Sequence, residues 1–295
     1  MPVLGIDIGG TKIAAGVVNE SADVLRSAEF PTRAAEGFET SIAQVYRAVE
    51  EVLAPEITAI GICAPGPLNP KTGVVLNPPN LPGWNHIPLA QLIEERFARL
   101  CRVENDANAA GLAETLFGAA RGYSSVLYMT WSTGIGTGIV LDGRIYHGKN
   151  GAAAEGGHVT VDYRGEAPCA CGVPGCIEGL ASGTAIAARA SRLMGRTVTA
   201  AEVGRAAQAG DPAAAQVIAE AVDMVAAWLG SMISMLDPDI VVIGGGVAQL
   251  GEPLFAKLRA ETPRRTINQF AVETPIVPAA LCRNAGILGA AAVVV

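Results

Sequence analysis

Runs of apolar residues broken by short polar turns divide the chain into strand-sized and helix-sized pieces. Residues 3–18, VLGIDIGGTKIAAGVV, read as an apolar strand, a Gly/Thr turn and a second apolar strand, and residues 126–141, VLYMTWSTGIGTGIVL, repeat that order. Each hairpin is followed by a polar turn, at 19–23 in one and 142–143 in the other, and then by a short third strand. The echo continues downstream. Apolar positions at helical spacing near 38–53 precede a strand at 57–62, and a similar stretch near 213–236 precedes a strand at 240–243. Strand 101–104 runs into a helix starting at Asn105 or Asp106, as strand 275–281 runs into one starting near Asn284. The pattern predicts two copies of a βββαβαβα unit, set against the simpler possibility that strand-turn-strand segments are common and match by chance. Segments 63–91, rich in Pro, Gly and Asn, and 147–183 interrupt the echo, and loops of this kind tend to carry function.

Length sharpens this picture. A chain of 295 residues exceeds the usual single-domain size of roughly 100–200 residues, so two lobes with a cleft between them are expected. No apolar run approaches the ~20 uncharged residues of a membrane span, and the start lacks a basic, signal-like segment. A cytoplasmic protein without a membrane partner is the expectation. The net charge of −7, with no cluster of Lys and Arg, argues against nucleic acid as a partner, because phosphate backbones are bound through grouped cations. Of the six cysteines, Cys169, Cys171 and Cys176 crowd together, while Cys63, Cys101 and Cys282 are scattered through apolar stretches. That distribution suits a metal site plus buried thiols better than a disulfide framework.

Three glycine clusters fall at predicted strand ends. In DIGGTK, Gly9 and Gly10 allow a tight turn with bare N–H groups, and Thr11 and Lys12 add a hydroxyl and a charge, a combination that can cradle a polyphosphate. It is not a Walker A loop, since the spacing differs and a strand follows. Thr133-Gly134-Ile135-Gly136 offers a matching clamp, and Gly244-Gly245-Gly246, after the strand DIVVI, offers a flat backbone for a purine. Each cluster alone is more often just a turn; three at strand ends of a duplicated fold point to a nucleotide. Asp7 ends a strand of Val, Leu and Ile, where a carboxylate is costly unless it meets a cation or donors. A place near magnesium-bound phosphate fits it.

In VENDANAAGLAE, Asn105 and Asp106 stand where a strand gives way to a helix. A carboxylate there can accept a proton from a hydroxyl, or can merely cap the helix; the motif alone does not choose. The segment EGGHVTVDYRGEAPCACGVPGCIEGLASG adds Glu155, His158, Cys169, Cys171, Cys176 and Glu178. Three thiolates and one imidazole make a closed tetrahedral zinc site that would staple a loop short of apolar residues, with a redox-active cysteine loop as the competing possibility. One His158 nitrogen on the metal leaves the other to hydrogen-bond a substrate alongside Glu155 and Glu178. His86 and His147 lack such spacing and are expected as surface or loop histidines.

These residues resemble the ROK family (repressor, ORF, kinase) of sugar kinases and regulators, within the actin-like ATPase superfamily. The likeness rests on DIGGTK at 7–12, PGP at 65–67, NPPNLPGW at 77–84, ENDANAA at 104–110, STGIGTG at 132–138, E-x-G-H at 155–158, CxCGxxGCxE at 169–178 and the late GGG. It implies an α/β protein with a duplicated actin-like (ribonuclease H-like) ATPase fold: two lobes with a central cleft and a zinc-binding loop at 158–178. The small lobe would span 1–106, with a C-terminal helix at 284–295 packed on it, and the large lobe 107–283. The resemblance implies an ATP-dependent sugar kinase in which Asp106 is the general base toward the 6-hydroxyl of a hexose. Asn105, Glu155, His158 and Glu178 would bind other hydroxyls, with Gly66 and Asn80 lining the sugar pocket. Asp7, Gly9, Gly10, Thr11, Lys12, Thr133, Gly134, Gly244 and Gly245 would serve ATP and Mg2+, and Zn2+ would be structural. Lobe closure over the sugar would exclude water. Glucose leads as substrate, N-acetylmannosamine, N-acetylglucosamine and fructose are alternatives, and a sugar-sensing regulator is the non-enzymatic one. A homodimer or homotetramer is expected. Thr137 stands where Gly is commoner in this pattern, Gly156 is unusual in E-x-G-H, and Ala153-Ala154 precede it where Ala-Gly is commoner. Repressor members carry a DNA-reading domain ahead of DIGGTK; here six residues precede Asp7, which disfavours that branch.

Overall fold

The computed structural model describes residues 2–281 and 284–295, so Cys282 lies outside the described residues. In chain order, strands β1 (Val3–Ile8), β2 (Lys12–Val18) and β3 (Val24–Pro31) lead to helix α1 (Phe38–Val52) and strand β4 (Ala59–Ala64). The short pair β5 (Leu68–Asn69) and β6 (Val74–Val75) precedes α2 (Leu89–Phe97), β7 (Leu100–Asn105) and α3 (Asp106–Phe117). The second series begins with β8 (Ser125–Trp131), β9 (Ile135–Leu141) and the short third strand β10 (Arg144–Ile145). Helices α4 (Ile177–Ala181), α5 (Gly183–Met194), α6 (Ala200–Gln208) and α7 (Pro212–Leu236) follow, then β11 (Ile240–Gly244), α8 (Glu252–Glu261), β12 (Ile276–Pro278) and α9 (Ala285–Ala292).

The chain divides into two units: residues 1–121, 143–154 and 281–295 form one, and residues 122–142 and 155–280 the other. In the first, the sheet order is β3-β2-β1-β4-β7, with β1 antiparallel to β2 and parallel to β4. Branched residues give these strands their extended preference, and they bury Leu4, Ile6, Ile8, Ile60, Ile62 and Val103 almost completely. On α1, Ile42, Val45, Val49 and Val52 recur at three- and four-residue steps, which turns one face to that core. Helix α9 lies against a glycine stripe: Gly16, Gly5 and Gly61 are register partners on β2, β1 and β4, and a Cβ on Gly5 or Gly61 would run into carbonyl oxygens of Ile287 or Ala290. Helix α3 also belongs to this unit, so the division falls at 121/122 and not near residue 106 as expected. Its cause is tight packing on α9, where a methyl on Gly289 would stand 3.0 Å from the Ala109 carbonyl carbon.

In the second unit, β8 is antiparallel to β9 and parallel to β11, which is parallel to β12, the same relation that β1, β2, β4 and β7 have. Helix α7 is started by Asp211, whose side chain accepts from Ala214 N, and by Pro212 in the first turn. By length and composition it could cross a membrane, but it carries Glu220 and Asp223, and 56% of its most apolar window is buried inside the protein. Val217, Val225, Trp228, Leu229 and Ile233 form the centre of that packing.

Candidate functional site

In the first unit, the candidate residues gather at the carboxyl ends of three neighbouring parallel strands, where open α/β sheets bind ligands. Asp7 of β1, Cys63 of β4 and Glu104 of β7 are register partners in a single row, and Ala64 pairs with Asn105 in the next. Burial pushes the Asp7 carboxyl above the usual range, while a hydrogen bond donated by Cys63 Sγ at 3.4 Å and the charge of Lys12 pull it back. A cation there would remove that cost. The DIGGTK turn is closed by Gly9 N donating to Lys12 O at 2.9 Å, and braced by the buried Thr32, whose Oγ1 donates to Gly9 O at 2.5 Å. Asn80 packs on this turn, its carbonyl oxygen 2.9 Å from where a Gly10 Cβ would sit. Thr11 and Lys12 are exposed, and Lys12 Nζ pairs with Glu29 at 2.7 Å.

Asn105, not Asp106, is the N-cap of α3: its Oδ1 accepts from Ala107 N at 2.9 Å and Asn108 N at 3.2 Å. Capping therefore does not account for the exposed Asp106, the first helical residue, although its Oδ1 accepts from Ala107 N at 2.8 Å. Asn105 Nδ2 lies 3.4 Å from where a Cβ of Gly66 would be, so these two meet.

Sequence reasoning missed the support beneath this turn. Glu104, 2% exposed, accepts through Oε1 from Asn105 N at 2.9 Å and Asn108 Nδ2 at 3.0 Å, and its Oε2 lies 2.5 Å from His147 Nε2. His147, expected only as a surface or loop histidine, is thus engaged with a buried acid. That contact raises its pKa above the ordinary value, against partial burial and the charge of Lys71. The sequence carried no clear signal, since LCRVEN alternates and places Glu104 in step with the exposed Leu100 and Arg102.

The second unit holds the other candidates. Ser132 N donates to Gly134 O at 2.9 Å, closing the turn that presents Thr133 and Gly134. Glu178 Oε2 accepts from Ile135 N at 3.0 Å, which anchors this carboxylate to the same turn. Gly245, at φ 90°, follows Gly244 at the end of β11 and packs on Trp131, the residue before Ser132. Glu155 is exposed at the start of a 3₁₀ turn, its carbonyl accepting from His158 N at 3.0 Å.

His158, Cys169, Cys171 and Cys176 offer ligand atoms that all lie within 4.8 Å of one another. The fit to zinc is direct. Ligands around a tetrahedral ion with Zn–S bonds of about 2.3 Å stand about 3.6–3.8 Å apart, and here Cys171 and Cys176 Sγ are 3.7 Å apart and Cys169 Sγ is 3.4 Å from His158 Nδ1. His158 thereby keeps Nε2 for another partner. The loop has little else to fold it, since Tyr163 and Val173 are exposed. Burial pushes the Cys169 thiol up to about 12, so a thiolate at neutral pH there calls for a cation. Cys169 also donates to Glu178 Oε1 at 3.6 Å; as a thiolate it would have no proton to give, leaving that oxygen to another donor.

Two departures from the resemblance meet in space. Thr137 Oγ1 accepts from Gly156 N at 2.9 Å, and a Cβ on Gly156 would stand 2.6 Å from the same oxygen. A hydroxyl fills room that the missing side chain leaves. The third departure, Ala154, adopts a left-handed backbone at φ 65°, a conformation that glycine takes without strain.

Comparison with known proteins gives the family of the chain. The ROK family profile matches residues 3–295. A glucokinase from Thermotoga maritima is 34% identical over 309 positions, covering 100% of this chain and 97% of that protein. A ROK hexokinase from Thermus thermophilus superposes with a TM-score of 0.87 at 41% identity, covering 99% of this chain and 97% of that one. A ROK family glucokinase from Streptomyces griseus, solved with glucose and AMPPNP, gives a TM-score of 0.85 at 34% identity, with 99% of both chains covered.

Proposed function

Because the chain belongs to the ROK family and is an ATP-dependent sugar phosphotransferase, we propose that it phosphorylates the 6-hydroxyl of a hexose, with glucose as the sugar. The observation that carries this is the division of labour at the head of α3. Asn105 takes the capping hydrogen bonds through Oδ1, and Asp106 stands beside it, exposed, at the carboxyl end of β7.

In this proposal Asp106 accepts the proton of the 6-hydroxyl as that oxygen attacks the γ-phosphorus in line, a contribution typically of about 10²–10⁴ in rate. Asn105 Nδ2 donates to a neighbouring hydroxyl, and Gly66 beside it leaves room for the ring. Glu155, His158 through Nε2, Glu178 and Asn80 bind what remains of the sugar. The glycine turns at 9–12 and 133–134 cradle the phosphates through backbone N–H groups, and the purine rests against Gly244 and Gly245. Asp7 would hold the magnesium of the nucleotide, which when bound would supply charge neutralisation. Zinc at His158, Cys169, Cys171 and Cys176 is a scaffold that orients His158. Three neighbouring thiols suit a reducing compartment, so a cytoplasmic location is included in the proposal, as is a homo-oligomer, testable by light scattering.

Glucose is favoured because two of the relatives described above are named glucokinases. The test is ADP release with a panel of glucose, fructose, N-acetylglucosamine and N-acetylmannosamine. A kcat/KM highest for glucose is expected; a higher value for another sugar replaces glucose, and no stimulation by any sugar leaves a sugar-sensing protein instead.

A further inference from the structure

Glu104 is a carboxyl group in a place almost closed to water. It sits inside the first unit at 2% exposure, one residue before Asn105. One carboxylate oxygen is occupied by two neutral donors, Asn105 N and Asn108 Nδ2, and the other faces His147 Nε2 at 2.5 Å. His147 is held in reach by its own loop. Ala153 N donates to His147 O at 3.2 Å, Lys71 Nζ donates to Lys149 O at 2.8 Å, and Gly151 lies against Pro70, where a Cβ would approach to 2.8 Å. We propose that His147 is a positioning residue: by holding the buried Glu104 carboxylate in one orientation, it fixes the β7–α3 junction and with it the placement of Asn105 and Asp106.

The physical reason is the cost of a half-satisfied buried carboxylate. Without the imidazole, Oε2 has lost its partner in a site with little access to water, so the carboxyl must turn toward another donor or swing toward solvent. Either change weakens what Oε1 does, which is to hold the backbone of Asn105 and the side chain of Asn108. Asn105 is the cap that starts α3, so a shift there moves Asp106. The reach of His147 is therefore two hydrogen bonds: to Glu104, then to the junction. For catalysis this rests on the kinase assignment made above, and the experiment separates the two.

His147→Leu keeps the bulk and removes the donor, while His147→Gln keeps one donor. Steady-state kinetics of ADP release with glucose are measured together with amide hydrogen exchange across residues 102–110 in the ligand-free, zinc-loaded chain. His147→Leu is expected to lower kcat by about tenfold to a hundredfold with KM for ATP changed less than about threefold, as misplacement of a catalytic group does. Exchange should rise at 102–110 and stay unchanged in α7, and His147→Gln should recover most of both. Unchanged exchange at 102–110 in His147→Leu overturns the proposal, whatever happens to kcat, and so does an unchanged kcat. If the unsubstituted chain phosphorylates no sugar, the kinase assignment falls and exchange alone decides: a rise supports the positioning role and no change removes it.

Discussion

The meeting of Thr137 and Gly156 allows a quantitative test of how the loop that begins at Glu155 is held. A Cβ added at Gly156 would lie 2.6 Å from Thr137 Oγ1, 3.1 Å from Thr137 Cγ2 and 3.1 Å from Trp228 Cζ2. The first distance is far inside contact range and involves a side chain fixed in a strand, so Gly156→Ala should cost about 1–3 kcal/mol by overpacking. Thr137→Gly should cost a similar or larger amount. It orphans the buried Gly156 N–H, about 1–3 kcal/mol, and adds about 0.5–1 kcal/mol for glycine inside a strand. In the double variant the new methyl occupies the room the hydroxyl vacated, and only its contact with Trp228 remains tight. The two costs should then sum to about 1–2 kcal/mol more than the double variant shows, well above the ~0.3–0.5 kcal/mol scatter of independent sites. Urea unfolding of the zinc-loaded single and double variants measures the cycle. Additivity within that scatter would mean that Thr137 and Gly156 are not compensating partners.

Asp106→Asn should reduce kcat by about 10²–10⁴ while leaving glucose affinity within about threefold, measured by single-turnover rates and calorimetry; a near-normal rate would remove Asp106 as the base. Chelation, or Cys171→Ser, should release zinc and open residues 159–176 to proteases, because that stretch has few buried apolar side chains. A metal-free preparation with the normal cleavage pattern would contradict the site. Ala154→Gly should raise Tm by up to about 2–4 °C: relief of a left-handed alanine gains about 1–2 kcal/mol, and unfolded-chain entropy returns about 0.5–1. A lower Tm would show that φ 65° is not strained. His147 has a raised folded-state pKa, so its stabilising pairing is complete below the ordinary value near 6.5 and fades as pH rises through the higher folded value. The difference in urea midpoint between the unsubstituted chain and His147→Gln should thus shrink from about pH 6 to about pH 9; a difference that grows has the wrong sign.

Much of the frame was legible because it is written in local patterns. Alternation and branching marked the hairpins, and the 3.6-residue spacing on α1 and the apolar length of α7 marked the helices; the repeated unit they predict reappears as two sheets of matching strand order. Strand ends were less certain: the strand expected at 57–62 is β4, Ala59–Ala64, because its pairing to β7 runs from Ala59 to Ala64. The clustering of His158, Cys169, Cys171 and Cys176 was legible because residue types and spacing of this kind nearly suffice to predict a metal site. Asn105 and Asp106 were not separable by sequence, since either can cap; only the hydrogen bonds from Ala107 N and Asn108 N assign that duty. The partnership of Glu104 with His147 joins residues 43 apart through burial, and the Thr137–Gly156 contact joins two positions that look like unrelated oddities along the chain. Neither leaves a periodic trace.

The row formed by Asp7, Cys63 and Glu104, with Asn105 one step further, makes the first sheet a ruler. Lateral intervals between these groups are graduated by main-chain pairing, about 4.8 Å per strand, and not by how well the apolar residues behind them fit. Exchanging one aliphatic side chain for another behind the sheet leaves the graduation alone. Deleting a single residue upstream in β4 or β7 would turn Cys63 or Glu104 to the opposite face, so away from the glycine stripe these strands tolerate changes of size far better than changes of count.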